Sequence, residues 1–423
     1  MLPAAFTVSA IALGAIASHV RPSRDSVLGP LLFIGDAGEA RRLLLTCATS
    51  IVGVLALVIG LTMVALQMAA NRYSPRVLRS FIRDRKTQLV IATFVGAFTY
   101  NAAGLYTVGL EPGEYPRFAV TLGLCSLFVC IGALIFYIDR MVHAIQIDRV
   151  LAGIGIVTAH TIAAAPPGVG GNAGDGRSAA ADGPPPGAAA VRAESSGYIE
   201  YIAPERIVVA AARCGATVLL EAGVGAHVVA HTPLAWVWPA SADSPELHAA
   251  VDAAVHIGAE RSRRQDVAVG LLQIVDIAVL SMHNFDYNTA VQCANELSIL
   301  MCKLAHTPLG AQVYRDAAGT SRVIVPAPWF EDYLDIACGQ ILRRGATEPV
   351  ALRAILDLLS DISIVADTDE RRAAVAATVR DVLATARGGI KYPGELARLE
   401  SVANIALSRL AATPQVAEYR EAI

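Results

Sequence analysis

The spacing of apolar and polar positions divides the chain into two parts. Up to about Ile138 the apolar residues form long uncharged runs, and beyond Tyr198 they form short alternations and helical stripes. A helix needs about 20 predominantly apolar residues to cross the hydrocarbon core of a bilayer. Leu43–Ala70, Gln88–Leu110 and Phe118–Ile138 carry no charged residue and predict three spans. Leu2–Ser18 is shorter. Its Ala15-Ile16-Ala17 resembles a signal cleavage site, but the positive n-region of a signal is missing, so a retained short span is expected. About four spans over residues 1–140 therefore form a transmembrane bundle, followed by a connecting helix over 141–164.

Composition then breaks. Residues 165–197 are mostly Gly, Ala, Pro and Ser, which have little to bury and read as a flexible linker. The glycines there do not follow a strand and open a helix, so they are not a phosphate-cradling loop. Residues 198–240 predict a small α/β unit, with GYIEYI as a strand, PERIVVAAARC as a helix and TVLLEAGVGAHVVAHTPLAWVWP as alternating strands. Residues 241–423 predict a mainly helical domain. Its elements are a helix over Thr289–Leu304 capped by Asp286 or Asn288, a hairpin over Gln312–Val325, and helices opening at Pro328, Thr347, Thr368 and Pro393. The expected fold is a membrane α-helical bundle followed by an α+β, mainly helical, cytoplasmic domain.

Charge decides the orientation. The stretch between the second and third spans carries Arg72, Arg76, Arg79, Arg83, Arg85 and Lys86 against Asp84, whereas EPGEYPR between the third and fourth is not basic. The basic loop belongs inside, which puts the chain in the inner (plasma) membrane as a multi-pass protein with its C-terminal domain in the cytoplasm. The arginines between His19 and Arg42 pull the other way, and the stronger bias is followed. Ser74 and Pro75 can open a helix with Val77, Leu78, Phe81 and Ile82 on one face. Arg72, Arg76, Arg79, Arg83 and Lys86 would then meet anionic lipids of the inner leaflet, or the helix would simply pack on the soluble domain.

Overall composition narrows the function classes. The 423 residues are 54% hydrophobic and 17% charged, with a net charge of −3, so nucleic acid is not an expected partner. The seven cysteines form no CxxC pair and read as reduced, buried residues, without a disulfide or zinc framework. His227 and His231 lack a ligand framework from His248 and His256, so no metal site is expected, and no motif calls for a cofactor. No acidic or basic side chain lies at membrane depth, which argues against a proton-driven transporter and leaves Asn101 as the candidate pore-lining group. In the soluble part, Arg261, Gln265, Asp266, Gln273, Asp276 and Asp286 form the candidate polar cluster. Gln265, Asp266, Gln273 and Asp276 are expected on one helix, where they would serve acid/base work, anion binding or a structural ion-pair network. With no nucleophile beside the set, no catalytic residue is assigned and enzyme activity is not expected.

Several stretches carry a resemblance. YSPRVLRSFIRDRKTQLVIATFVGAFTY, the strand pair ending in PLAWVWP, ERSRRQDVAVGLLQIVDIA and VPAPWFEDYLDIACGQILRRGA together resemble predicted bacterial membrane proteins catalogued as domain of unknown function 2254. The likeness runs from about Gly38 to about Ile362 and implies a membrane bundle with a soluble domain behind it, without implying a reaction. One departure is local. Where the family has a Ser-Pro-Gly-Ile-Asn-Asp-Pro-like stretch before a Thr-Ala pair, this chain has Ser281-Met282-His283-Asn284-Phe285-Asp286-Tyr287-Asn288 and then Thr289-Ala290. The leading expectation is a homo-oligomeric channel or transport-type protein, built as a ring around a small uncharged bundle. The alternative is a membrane-anchored scaffold or regulatory protein whose protein partners the sequence leaves unknown. A lipid-acting enzyme has no identifiable catalytic set.

Overall fold

The computed structural model describes residues 2–19, 32–72, 85–108, 116–144, 146–164 and 183–412, with thirteen α-helices and eight strands. The chain divides into two units, residues 1–149 and 150–423.

The first unit contains α1 (Leu2–His19), α2 (Ala37–Arg72), α3 (Arg85–Thr107) and α4 (Arg117–Ala144). Their sequences are apolar all round, and each exposes large apolar residues such as Ile16, Leu57, Met63 and Phe128. That surface suits lipid, where an apolar side chain has no reason to hide. Asp36 and Glu39 start α2 with a reciprocal box, Asp36 Oδ1 accepting from the Glu39 amide at 2.6 Å and Glu39 Oε2 from the Asp36 amide at 3.1 Å. Inside the bundle Ile51, Val58, Phe94, Cys130 and Tyr137 form one apolar cluster, and Tyr137 shares a 2.6 Å hydrogen bond with Thr62.

Four helices are long and apolar enough to cross a membrane: Ala37–Met68, Arg85–Tyr106, Arg117–Met141 and Ile147–Ala164. This set differs from the sequence expectation at both ends. The first apolar segment is a helix packed along α3, but it falls among the shorter apolar helices. The connecting helix expected over 141–164 is the element α5 (Ile147–Ala164), and α4 extends to Ala144. From Val150 onward α5 belongs to the second unit. Leu151, Ile154, Gly155, Thr158, Thr161 and Ile162 bury one face, while Ile156 and Val157 stay exposed on the other.

The first strand of the second unit is β1 (Ala189–Arg192), inside the stretch whose composition reads as linker. The strand is short but puts Val191 into the core and pairs antiparallel with β5 (Pro233–Trp238). Between them lie β2 (Gly197–Ile202), α6 (Pro204–Cys214), β3 (Thr217–Leu220) and β4 (His227–Val228). Then follow α7 (Pro245–Ala254), β6 (Val255–Gly258), α8 (Val267–His283), α9 (Tyr287–Leu304), β7 (Gln312–Arg315) and β8 (Ser321–Val325). A five-stranded sheet has the order β1-β5-β3-β8-β7, with only β3 and β8 parallel, and a three-stranded antiparallel sheet has the order β4-β2-β6. Alternation along the strands sends Val218, Leu220, Val237 and Val323 against Ile207 of α6 and Leu247 of α7, and Leu219 and Ile324 to the other face beside Trp236 and Trp238.

The helical layer continues with α10 (Phe330–Arg344), α11 (Pro349–Val365), α12 (Asp369–Gly389) and α13 (Pro393–Ala411). The caps are those the sequence predicts: Asp286 accepts from the Thr289 amide and Thr368 from the Arg371 amide. At its centre α8 is buried nearly all round and packs on α9 and α10.

Candidate functional site

A cleft of about 160 Å³ opens in the second unit where the end of α5, the end of β2, the loop 221–226, the start of α8 and the chain after β8 converge. Ile202, Val224, Leu304, Leu309 and Val325 give it apolar walls. Asp266, at the N-cap position of α8, is 7% exposed. Its Oδ2 accepts from Arg261 Nε at 2.8 Å and is 2.7 Å from Arg261 Nη2. Burial raises the Asp266 pKa, and the Arg261 charge and hydrogen bond, with the amides of Val269 and Ala268, oppose the rise. Gly225 closes over this pair. Its φ is +87°, and a Cβ there would lie 2.3 Å from Asp266 Oδ2 and 2.7 Å from Arg261 Nη2, so only glycine lets the loop sit so close.

Three further groups line the cleft and carry donors. The guanidinium of Arg264 lies 4.6 Å above the Tyr201 ring, close enough for a cation–π contact. Gln312 accepts from Tyr314 Oη at 2.5 Å through Oε1, which leaves its amide nitrogen as a donor. Tyr333 of α10 is 7% exposed, and burial, with Asp266 and Asp332 adding to it, pushes its phenol well above the usual range. It therefore stays protonated and can only donate or accept as a neutral hydroxyl. Among the described residues, no acceptor within the protein takes a hydrogen bond from the Tyr333 hydroxyl, the Arg264 guanidinium or the Gln312 amide nitrogen.

The expected polar cluster divides. Arg261, Gln265 and Asp266 lie at the cleft, but Gln265 precedes α8 and Asp266 caps it, so neither is inside the helix as the sequence suggested. Gln265 is used structurally: Nε2 donates to the Ile202 carbonyl at 3.2 Å and Oε1 accepts from the Ile202 amide at 3.1 Å, extending the end of β2. Gln273 is buried and Asp276 half-buried further along α8, and neither lines the cleft. Asp286 lies beyond the far end of α8, a helix about 25 Å long at 1.5 Å per residue. There it caps α9, taking the Thr289 hydroxyl at 2.8 Å. The residue before it, Phe285, is 79% exposed at φ 60°, a backbone region that disfavours a bulky L side chain. The sequence had no means of pointing to Tyr333 or Gln312, which come from distant elements. Arg264 was visible in the run Arg261-Ser262-Arg263-Arg264.

In the first unit Asn101 is fully buried. Its Nδ2 donates to the Ala97 carbonyl at 2.8 Å and to Ser126 Oγ on α4 at 2.9 Å. Its Oδ1 abuts Gly123, where a Cβ would meet that oxygen at 2.8 Å. Asn101 is thus placed as an interhelical contact of α3 and α4. Lys86 is exposed in the first turn of α3, and Arg72 ends α2. Arg76, Arg79 and Arg83 lie outside the described residues, as does the helix expected from Ser74. Among the described residues no group of three or more His, Cys, Asp and Glu is arranged to hold a metal ion.

The sequence model of a family described as predicted membrane protein, DUF2254, matches residues 1–361. The chain belongs to this family. The DUF2254 match takes in the apolar bundle and every residue lining the cleft, and it ends within α11. Uncharacterized proteins of Mycobacterium tuberculosis and Mycobacterium bovis are 33% identical over 396 residues, covering 92% of this chain and 76% of each relative. No solved structure matches this DUF2254 chain.

Proposed function

We propose that this membrane protein is a ligand-responsive regulatory protein, anchored by its helical bundle and reading a small molecule in the cleft of its second unit. The observation that carries this is the cleft itself, which is apolar-walled with a few convergent polar groups. Thr161, Ile162 and Ala164 at the end of α5 form part of its wall, and two residues of chain separate the start of α5 from α4. A ligand that orders the cleft acts on a helix joined directly to a membrane helix. The positive-inside bias supports an inner-membrane protein with the second unit in the cytoplasm, and it supports contact of Arg72, Arg76, Arg79, Arg83 and Lys86 with anionic lipid.

A channel-type homo-oligomer is the second reading, favoured by one feature of α2. Thr46, Thr49, Gly53 and Gly60 are exposed on this helix, and small residues suit close approach of another helix. Against it, Asn101 is committed to Ser126 inside one copy. Reconstitution of the full chain in liposomes separates the two readings. Potassium and chloride release equal to that of empty liposomes supports the regulatory reading. Saturable, ion-selective release from a closed ring, altered by Asn101→Leu, overturns it.

A further inference from the structure

The donors and acceptors at the cleft are unbalanced, and the imbalance specifies a ligand. Arg261 and Asp266 satisfy one another, Gln265 is committed to the Ile202 backbone, and Tyr314 donates to Gln312. What remains on the walls is three groups that can donate, the Tyr333 hydroxyl, the Gln312 amide nitrogen and the Arg264 guanidinium, against one side-chain acceptor, the exposed Glu205 carboxylate. The Tyr333 side chain is more than nine-tenths buried, yet its hydroxyl is not among the buried atoms without a partner: it reaches the open cleft, where water or a ligand supplies its acceptor. A molecule that brings acceptors into the cleft takes the place of that water.

Resting on the reading of the cleft as the ligand site of a regulatory protein, we propose that it binds a small monocarboxylate with a short apolar body. The carboxylate accepts from Tyr333, Gln312 and the Arg264 fork, whose geometry matches a planar two-oxygen acceptor. The apolar body lies against Ile202, Val224, Leu309 and Val325. Charge selects a monoanion over a dianion. Arg261 and Arg264 stand against Asp266 and Glu205 on or beside the cleft, so its balance is close to neutral before the ligand enters. One added negative charge is met by Arg264. A second, as on phosphate, finds no further cation on the walls and faces two carboxylates. The stack of Arg264 on Tyr201 holds the guanidinium in place without using its edge donors, which lowers the ordering cost of binding.

Titration of the full-length chain in lipid nanodiscs tests this, with hexanoate, hexan-1-ol and inorganic phosphate as probes and empty nanodiscs subtracted. Saturable binding of hexanoate at one site per chain is expected, with hexan-1-ol at least about tenfold weaker and phosphate not saturating. Tyr333→Phe, which keeps the ring, and Arg264→Gln are each expected to weaken hexanoate about tenfold or more. Both variants should unfold at the wild-type temperature, and if Tyr333→Phe does not fold, Arg264→Gln at the exposed rim carries the test. Equal affinity for hexanoate and hexan-1-ol, stronger binding of phosphate, or variants that bind hexanoate as well as wild type overturn the proposal. Failure of hexanoate to bind removes this ligand class alone, whereas the regulatory reading falls only to selective ion release from liposomes.

Discussion

The two units of this chain bury polar groups in different ways, because their surroundings differ. In the bundle the buried Asn101 is neutral, uses its own helix carbonyl and one hydroxyl of the next helix, and leaves an oxygen against Gly123. In the second unit the buried Asp266 is a charge, and it is held by an arginine, a helix N-terminus and a glycine loop. Apolar surface is reversed in the same way: the bundle leaves Leu57 and Phe128 outside, and the second unit hides Leu271 and Ile274 completely. A region facing lipid gains nothing by hiding leucine, while a region facing water gains roughly 1.5–3 kcal/mol for each such side chain.

The sharpest way to break this comparison is to make one substitution in both places. Leu271→Ala is expected to destabilise the second unit by about 2–5 kcal/mol, while Leu57→Ala, 55% exposed, leaves the bundle stability unchanged. Hydrogen exchange in nanodiscs reads the units separately, and a large loss at Leu57 shows that its face of α2 meets protein. Next in size, Asp266→Ala strands Arg261, whose side chain is 31% exposed, and is expected to cost about 3 kcal/mol of second-unit stability. Asn101→Leu should cost less, about 0.6–2 kcal/mol of bundle stability in detergent unfolding. Equal costs would erase the distinction between a buried charge and a buried amide.

A smaller effect of opposite sign is expected at Phe285. Asn tolerates the left-handed backbone there, so Phe285→Asn should raise second-unit stability by about 0.5–1 kcal/mol, read as a higher denaturant midpoint. The smallest change concerns acid. Asp316, in the β7–β8 turn, is held below its ordinary pKa of 3.8 first by the Arg322 hydrogen bond and then by the Thr320 amide. Its contribution is present above pH 3.8 and lost as pH falls through the lower folded value. Asp266 has the opposite sign, since its pKa is raised: its term favours the fold below pH 3.8 and is lost as pH climbs through the higher folded value. Unfolding temperatures of Asp316→Asn between pH 3 and pH 6 should show a shallower acid loss than wild type, and an unchanged acid limb removes Asp316 as its source.

Much of the fold follows from local chemistry. Runs such as Leu43–Ala70 and Phe118–Ile138 are helical because every backbone group must be paired within the segment when water is absent, and the structure has α2 and α4 there. The caps Asp286 and Thr368 and the hairpin at Asp316 are written in neighbouring residues and form as their spacing predicts. Tertiary packing decided the rest. Ala189–Arg192 has the composition of a linker and becomes a strand because β5 offers an open edge. Residues 147–164 could read as the continuation of a membrane helix, yet Gly270 of α8 leaves room for Thr158, and one face packs into the second unit. The cleft lay furthest out of reach of the sequence. Arg264, Gln312 and Tyr333 come from three distant stretches of the chain, and no local pattern records that three donors will face one space, since that depends on which backbones the fold brings together.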